Sequence, residues 1–192
     1  MLRIGQLAIL FVSFLSAPVW AVNYRFDPDH TFPVFEIDHL GFSTQRGQFD
    51  SSHGTLEFDA VQQTGSMEVV IDADSLDTGN AARDAILKGP QWFDAKHYPT
   101  ITFRGQRFVF DQGQPVAREG ELTMHGVTQP LRLDIIRLKC GLNLVTRRRT
   151  CGADATGTLK RSRFGMTTGL PFVGDDVRLR IQAEAYLDNQ AP

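Results

Sequence analysis

The stretch Val177-Arg-Leu-Arg-Ile-Gln-Ala-Glu-Ala-Tyr186 decides the fold class, because apolar and polar residues alternate along it almost without interruption. Alternation with a period of two places one row of side chains on an apolar face of a β-strand and the other row in water. A chain made mainly of such strands has few ways to bury its apolar rows, and closing the sheet into a barrel is one of them. The interior of a barrel is either filled by its own side chains or left open to a ligand.

The same alternation recurs along the chain and predicts a series of strands. These are Tyr24–Phe26, Pro33–Leu40, Gly47–Asp59, Met67–Ala73, Thr100–Phe110, Glu119–His125, Leu131–Ile135, Ala155–Arg161 and Val177–Tyr186. Within Gly47–Asp59 the alternation changes parity around Ser51–Gly54, which predicts a bulge or bend. Most connections have hairpin length, so the sequence favours an all-β, antiparallel, up-and-down barrel of about eight strands over a sandwich.

One segment differs from the strands. Asn80–Lys88 is rich in helix formers and is followed by Gly89-Pro90, which is a strong stop signal. Ser75–Thr78 offers capping side chains ahead of it. We therefore expect one helix inserted between strands.

The first 21 residues are predicted to be a secretory signal peptide. Arg3 supplies the positive charge, Leu7–Leu15 forms the apolar core, and Val19-Trp-Ala21 provides a cleavage signal after Ala21. A membrane anchor is the alternative, but the apolar core is shorter than the about 20 residues that a span needs. No cysteine follows the cleavage point, which argues against lipid attachment there. We expect a soluble, exported protein.

The mature chain is predicted to form one domain over residues 22–190, which is long enough for a substantial core. Removal of Arg3 with the signal peptide changes the net charge from −2 to −3. A weakly negative domain without a basic surface argues against nucleic acid as a partner.

Cys140 and Cys151 are the two cysteines of the chain. In an exported protein such a pair is most simply a disulfide, here tying together two neighbouring strands. The alternative, a redox or metal pair, lacks the Cys-x-x-Cys spacing that usually accompanies it.

Several short motifs, in order along the whole mature chain, carry a resemblance to a known family. They are Asp29-His30, His39-Leu40-Gly41, Gly47-x-Phe49, Asp74-Ser-Leu-Asp-Thr-Gly79, Arg83-Asp84, Trp92-Phe-Asp94, Tyr98-Pro99-x-Ile-x-Phe103, Gly120-x-Leu-Thr-x-His-Gly-Val-Thr128, Phe164-Gly165-Met166 and Val173-Gly174-Asp175. With these motifs the chain resembles the YceI-like family of bacterial polyisoprenoid-binding proteins.

The resemblance implies a lipocalin-like eight-stranded barrel in the periplasm, with an apolar channel that holds a long isoprenoid lipid or quinone. The family is not known for a catalytic triad or a metal site. The cysteine pair and the basic segment Arg147-Arg-Arg149 do not look like elements of the whole family, and they could mark a subgroup with its own ligand or partner.

The inward face of the predicted barrel is the candidate binding site. Its predicted residues are Phe35, Ile37, His39, Val69, Ile71, Arg83, Ile101, Phe103, Leu122, Met124, Leu133, Ile135, Leu179 and Ile181. Alternation alone leaves open whether these side chains pack solidly or line a channel, since an eight-stranded barrel is close to the size at which either is feasible. The resemblance favours the channel.

Two polar residues of this set have competing interpretations. His39 shares a face with Ile37 and is either a satisfied core histidine or a donor to a head group. Arg83 either has a structural partner or meets a polar head group at the barrel mouth, where a guanidinium suits phosphate or amide oxygens. Asp84 is adjacent to Arg83 on the helix and so must pair elsewhere.

Catalysis and metal binding have little support. Ser75 has no histidine and aspartate arranged with it, and the Gly-x-Ser-x-Gly motif is absent. The five histidines lack the spacing of metal ligands. Arg147-Arg-Arg149, at a predicted hairpin tip, is either a solvated turn or a contact with an anionic membrane surface.

The sequence therefore predicts an exported, non-enzymatic lipid-binding barrel with no catalytic cofactor. It would hold a polyisoprenoid chain, a polyprenyl lipid or isoprenoid quinone, for storage or transport. The alternative is a packed barrel without ligand that acts as a stress-related structural or interaction protein. A third option is a redox accessory of membrane electron transport, which would require a bound quinone that turns over.

Overall fold

The computed structural model describes residues 21–59 and 61–188. The predicted signal peptide therefore lies outside the described residues, except for Ala21. The strands are β1 (Val22–Phe26), β2 (Phe32–His39), β3 (Ser43–Phe49), β4 (Ser52–Phe58), β5 (Met67–Asp72), β6 (Leu76–Asp77), β7 (Thr100–Asp111), β8 (Gln114–Met124), β9 (Val127–Leu142), β10 (Arg149–Lys160) and β11 (Val173–Leu187). The described part contains one α-helix, α1 (Ala81–Leu87), and three short 3₁₀ turns at Pro28–His30, Ala73–Ser75 and Arg161–Phe164.

The sheet closes into an eight-stranded antiparallel barrel. Strands follow one another in the order β1-β4-β5-β7-β8-β9-β10-β11, and β1 pairs again with β11 to complete the ring. Strands β2, β3 and β6 continue from the other half of β11. The predicted eight-stranded barrel with one inserted helix is confirmed.

Three positions of the barrel are occupied by strands that break halfway along their length. β1 and β2 both pair with β11, at Ala185–Leu187 and at Val173–Gln182 respectively, so they follow one another along one edge. β3 and β4 form a second broken strand, and β5 and β6 a third. Backbone hydrogen bonds join the second and third breaks. The Asp50 amide donates to the Ser75 carbonyl, and the Asp72 amide donates to the Ser51 carbonyl.

The predicted bend around Ser51–Gly54 corresponds to the break between β3 and β4, at residues 50–51. Beyond the break, β6 pairs with β3 but not with β7 in the described chain. Residues 78–99, including α1, connect these two strands. The barrel wall is therefore a continuous ring in one half and is completed by α1 in the other.

The helix begins one residue later than predicted and has a different cap. Asn80 is the N-cap, and its side-chain oxygen accepts from the amides of Ala82 and Arg83, each at 3.1 Å. The predicted capping by Ser75–Thr78 is wrong in this detail, because Thr78 donates through its amide and hydroxyl to the Asp84 carboxylate instead. The helix ends at Leu87, one residue before the predicted end, and Lys88 is its C-cap just before Gly89-Pro90.

The two ends of the barrel differ. The end that carries α1, the β2–β3 turn and residues 161–172 is called the helix end below. The opposite end carries the β4–β5, β7–β8 and β9–β10 turns and is called the hairpin end. No helix in residues 21–59 and 61–188 is both long and apolar enough to cross a membrane.

Candidate binding cavity

A cavity of about 590 Å³ runs inside the barrel, and almost all of its wall is apolar. Its volume lies in the range of pockets that bind small molecules and cofactors. All the side chains predicted from the sequence to contact a ligand line this cavity, from both halves of the barrel. The structure thus brings the predicted set together, and their contact with a ligand stays a prediction.

Several inward-facing apolar side chains are only half-buried although they point away from solvent. Phe35, Met67, Val69, Leu179 and Ile181 pack against the fully buried core and still keep accessible surface. Each of them also lines the cavity. The residual surface therefore faces the interior space, which the protein's own side chains do not fill.

Aromatic rings cluster in both halves of the cavity. Toward the helix end, Phe35, Phe49 and Phe93 pack with ring centroids 5.4–6.1 Å apart. The Phe35 ring lies over Gly47, where a Cβ atom would come within 2.5 Å of it, so a glycine is needed there. Toward the hairpin end, Phe58 packs edge-to-face on Phe108 with centroids 5.1 Å apart.

Arg83 is positioned at the helix end by hydrogen bonds to two neighbouring segments. Its Nε donates to the Thr78 hydroxyl and its Nη2 to the Thr78 carbonyl, both at 2.8 Å, and Nη1 donates to the Gln45 side chain. Because Asp84 accepts from the same Thr78, both members of the Arg83-Asp84 pair have structural partners on the segment before α1. The guanidinium still borders the cavity, so a contact with a ligand there remains open.

His39 lines the same end of the cavity but is exposed at the end of β2. The alternative interpretation of His39 as a core histidine is therefore wrong. The strand reaches the rim of the barrel at this residue, and the chain turns there toward β3.

Arg161 organises the loop that covers the helix end. Its guanidinium is buried and donates to the backbone carbonyls of Met166, Thr168, Val173 and Gly174 at 2.7–2.9 Å. Burial lowers the pKa of Arg161. Since its hydrogen bonds go to the backbone of one loop, this arginine fixes the path of residues 166–174.

Arg118 on β8 is a cavity residue that the sequence analysis missed. Only 2% of its surface is exposed, and its guanidinium lies 3.9 Å above the centre of the Phe108 ring. The predicted strand began at Glu119, five residues after the start of β8 at Gln114 and directly after Arg118. Extending its period-two pattern backward from Leu122 through Gly120 would have placed Arg118 on the inward face.

The hairpin end carries an extended tip. β9 and β10 pair out to Leu142 and Arg149, and Cys140 lies directly opposite Cys151 in the register. The predicted disulfide between them is present. Beyond it, Leu144 and Val145 are 84% and 92% exposed, next to the predicted basic segment Arg147-Arg-Arg149.

No group of three or more histidine, cysteine, aspartate or glutamate residues in residues 21–59 and 61–188 is arranged to hold a metal ion. The polar side chains that line the cavity include those of Arg83, Arg118, Arg161, His39 and Gln45.

The chain is similar to known proteins along most of its length. The sequence profile of the YceI-like domain matches residues 24–185. A UPF0312 protein of Pectobacterium atrosepticum is 33% identical over 189 residues, which covers 96% of this chain and 97% of the relative. The YceI protein of Salmonella paratyphi B is 31% identical over 174 residues, covering 89% and 90% of the two chains.

Solved structures share the fold. The YceI protein of Campylobacter jejuni is 28% identical and superimposes with a TM-score of 0.63, covering 78% of this chain and 89% of the other. BcnA of Burkholderia cenocepacia has a TM-score of 0.69 at 23% identity, with 83% and 98% coverage. A polyisoprenoid binding domain from Saccharophagus degradans, implicated in plant cell wall breakdown, has a TM-score of 0.64 at 17% identity, with 87% and 99% coverage.

Proposed function

This chain belongs to the YceI-like family, and we propose that it is an exported binding protein that holds a polyisoprenoid chain, a polyprenyl lipid or isoprenoid quinone, in its barrel for storage or transport. Its mechanism is burial. The lipid tail leaves water for the apolar interior, and no bond is made or broken.

The observation that carries this proposal is the unfilled interior. Apolar side chains such as Val69, Leu179 and Ile181 face inward and keep accessible surface along a cavity of about 590 Å³. A protein that needed only stability would gain by filling such a space, because apolar cavities lower the free energy of unfolding. The packed barrel without ligand is therefore the weaker alternative.

The chemistry of the wall fits a hydrocarbon chain. Each methylene moved from water to an apolar site contributes about 0.8 kcal/mol, so a tail of several isoprene units has ample driving force for binding. Among the structural neighbours, the Saccharophagus degradans domain is described as polyisoprenoid binding, which supports the same ligand class here. No catalytic cofactor enters the proposal.

Export to the periplasm is part of the proposal. Its support is the predicted signal peptide, with cleavage after Ala21, and the disulfide between Cys140 and Cys151, which is typical of an oxidising compartment. A protein that moves isoprenoid lipids through an aqueous compartment must shield the tail from water, and the apolar interior of the barrel offers that shielding.

A titration with isoprenoid alcohols of increasing length tests the binding function. Geraniol, farnesol and geranylgeraniol have the same head group, and a neutral naphthylamine dye displaced from the cavity reports their binding. We expect the dissociation constant to fall with each added isoprene unit until the cavity is filled. A dye that never binds, or affinities that do not depend on tail length, would contradict the proposal.

We further propose that the tip of the β9–β10 hairpin makes transient contact with an anionic membrane surface. Exposed Leu144 and Val145 can enter the interface while Arg147, Arg148 and Arg149 meet lipid phosphates, at about 1 kcal/mol per charge. The test is sedimentation with vesicles. Wild type should bind vesicles that contain phosphatidylglycerol and not purely zwitterionic ones, and a variant with all three arginines replaced by serine should lose the binding. Equal vesicle binding by wild type and that variant would contradict a membrane contact by these arginines and favour a solvated turn.

A further inference from the structure

Arg118 has an unusual electrostatic environment inside the barrel. Its Nη2 donates to the carbonyls of Gly65, at 2.9 Å, and Gly105. Its Nε and Nη1 atoms are buried and make no hydrogen bond in the described chain. Since Nε carries one hydrogen and Nη1 carries two, three N–H groups of this guanidinium lack a protein partner.

The charge of Arg118 also lacks a counter-ion. No carboxylate of residues 21–59 or 61–188 lies close enough to pair with it. Burial lowers the pKa of Arg118 to about 10, so the side chain still carries its charge at neutral pH. Burying an unpaired charge is costly, and proteins usually pair such groups or bind an ion there.

The backbone makes room for this arrangement. A Cβ atom on Gly105 would lie 2.3 Å from the Arg118 Nε, so the absence of a side chain at Gly105 lets the guanidinium lie flat against β7. Register pairs Arg118 with Leu133 and with Phe108, both of which line the cavity. The arginine is thus part of the cavity wall and is not turned toward the outer surface.

We propose that Arg118 is the head-group site of the cavity and that the preferred ligand is an isoprenoid lipid with an acidic head, a carboxylate or a phosphate. This inference rests on the proposed lipid-binding function. The anionic oxygens of the head group accept hydrogen bonds from the unpaired N–H groups of Arg118 and neutralise its charge. From there the apolar wall continues toward the helix end through Leu122, Phe103 and Ile101, which accommodates the tail.

The other three cavity arginines are less suited to this role. Arg46 pairs with Glu36 at 3.0 Å, and its side chain is 63% exposed to solvent. Arg161 directs its donors to the carbonyls of its own loop, and Arg83 is bonded through all three nitrogens to Thr78 and Gln45. Among the cavity arginines of the described chain, Arg118 is the one with buried nitrogens that make no hydrogen bond. An acidic ligand would therefore satisfy more buried, unpaired N–H groups at Arg118 than at any other cavity arginine.

The experiment compares three lipids with one tail: geranylgeraniol, geranylgeranoic acid and geranylgeranyl phosphate. Protein stripped of bound lipid on a hydrophobic resin is titrated with each by displacement of the neutral dye. Wild type should bind at least one acidic lipid about 10- to 100-fold more tightly than the alcohol, because hydrogen bonds to a charged group contribute by that factor. The carboxylate and phosphate arms show which acid fits.

Arg118→Met should remove this preference and change the affinity for the alcohol less than about threefold. Arg118→Lys keeps a positive charge but lacks the planar guanidinium, so it should retain part of the preference for the acidic lipid. Circular dichroism shows which of the two variants folds, and either one that folds tests the site. Arg104→Met changes an exposed arginine outside the cavity; it is the matched control and should keep the wild-type preference. Loss of the preference in Arg83→Met but not in Arg118→Met would overturn the assignment and place the head group at the helix end.

The failure of this inference differs from the failure of the proposed function. If wild type binds the alcohol and the acids equally, Arg118 is not a head-group site but the barrel still binds lipid. If wild type binds none of the three, the proposed lipid-binding function is wrong, and the inference falls with it.

Discussion

Glu36 shows how a single buried charge is handled on the outer surface of the barrel. Its side chain is only 7% exposed and lies among Arg46, Arg178 and Arg180, at N–O distances of 3.0, 3.4 and 3.2 Å. The hydrogen bond from Arg46 and the bond and charge of Arg180 hold the pKa of Glu36 below its ordinary value of 4.5. Three strands, β2, β3 and β11, are joined through this one carboxylate.

The Glu36 cluster predicts a pH dependence of stability. Because the pKa of Glu36 is lower in the folded than in the unfolded chain, its contribution is present above about pH 4.5 and is lost as the pH falls through the folded value. Glu36→Gln should lower the free energy of unfolding by about 1–3 kcal/mol at pH 7. It should also weaken the loss of that free energy as the pH falls below about 4.5. Urea unfolding at a series of pH values measures both effects.

Glu68→Gln is the matched control for this prediction. Glu68 also accepts from an arginine on a neighbouring strand, Arg104 at 3.0 Å, but both side chains are largely exposed. An exposed pair contributes at most about 1 kcal/mol, so this change should cost less than Glu36→Gln. Equal losses in the two variants would contradict the role assigned to the buried cluster.

Single residues also show where sequence reasoning stopped. The apolar members of the cavity wall, such as Ile101 and Leu179, were predictable because alternation assigns a face to each of them. Arg118 was not assigned, because the predicted strand started after it and a charged residue at an inward position contradicts the pattern that defines the face. Its inward position depends on Gly105 across the strand pair, and that contact between distant segments has no local signal.

At the level of strands, the predicted segments were found but their ends were not. β9 reaches Leu142, seven residues beyond the predicted Ile135, and its outer part is exposed on both faces. Such a segment has no buried row and therefore no alternation to detect. Of the three broken strands, the sequence indicated only the break between β3 and β4, through the change of parity near Ser51.

β9 offers a direct test of the inward face. Ile135 lines the cavity opposite Ala155, whereas its neighbour Ile136 is 66% exposed. Ile135→Trp should obstruct the cavity and abolish lipid retention, at a cost of about 1–3 kcal/mol in unfolding free energy. Ile136→Trp, the matched control, should retain lipid as wild type does. Full lipid stoichiometry in Ile135→Trp would show that the assigned face is not the binding surface.

The β9–β10 hairpin is also where the disulfide acts. Cys140 and Cys151 are joined two residues inside the end of the paired region, so the bond closes the loop that carries the exposed tip. Replacing both cysteines by serine should lower the unfolding free energy by about 2–3 kcal/mol, the amount expected for a loop of this size. Urea unfolding of the double variant, and of wild type under reducing conditions, should agree. No change in either measurement would contradict a stabilising role.

On the scale of the whole molecule, closure of the ring creates the interior that defines the function. Alternation predicted strands with an inner apolar row, but the space between the rows depends on the number of strands and on how the barrel is completed by α1. The cavity of about 590 Å³ could therefore not be read from the sequence. Its wall is apolar in the middle, and its buried charge at Arg118 lies in the half near the hairpin end.

The most direct test of the lipid-binding proposal is mass spectrometry of an organic extract of the mature protein, purified without detergent from its native compartment. The proposal predicts about one isoprenoid lipid per protein molecule, and the inference about Arg118 predicts that its head group is acidic. An extract that is empty, and stays empty after incubation with polyprenyl lipids, would contradict the proposal and favour a barrel that acts without a ligand.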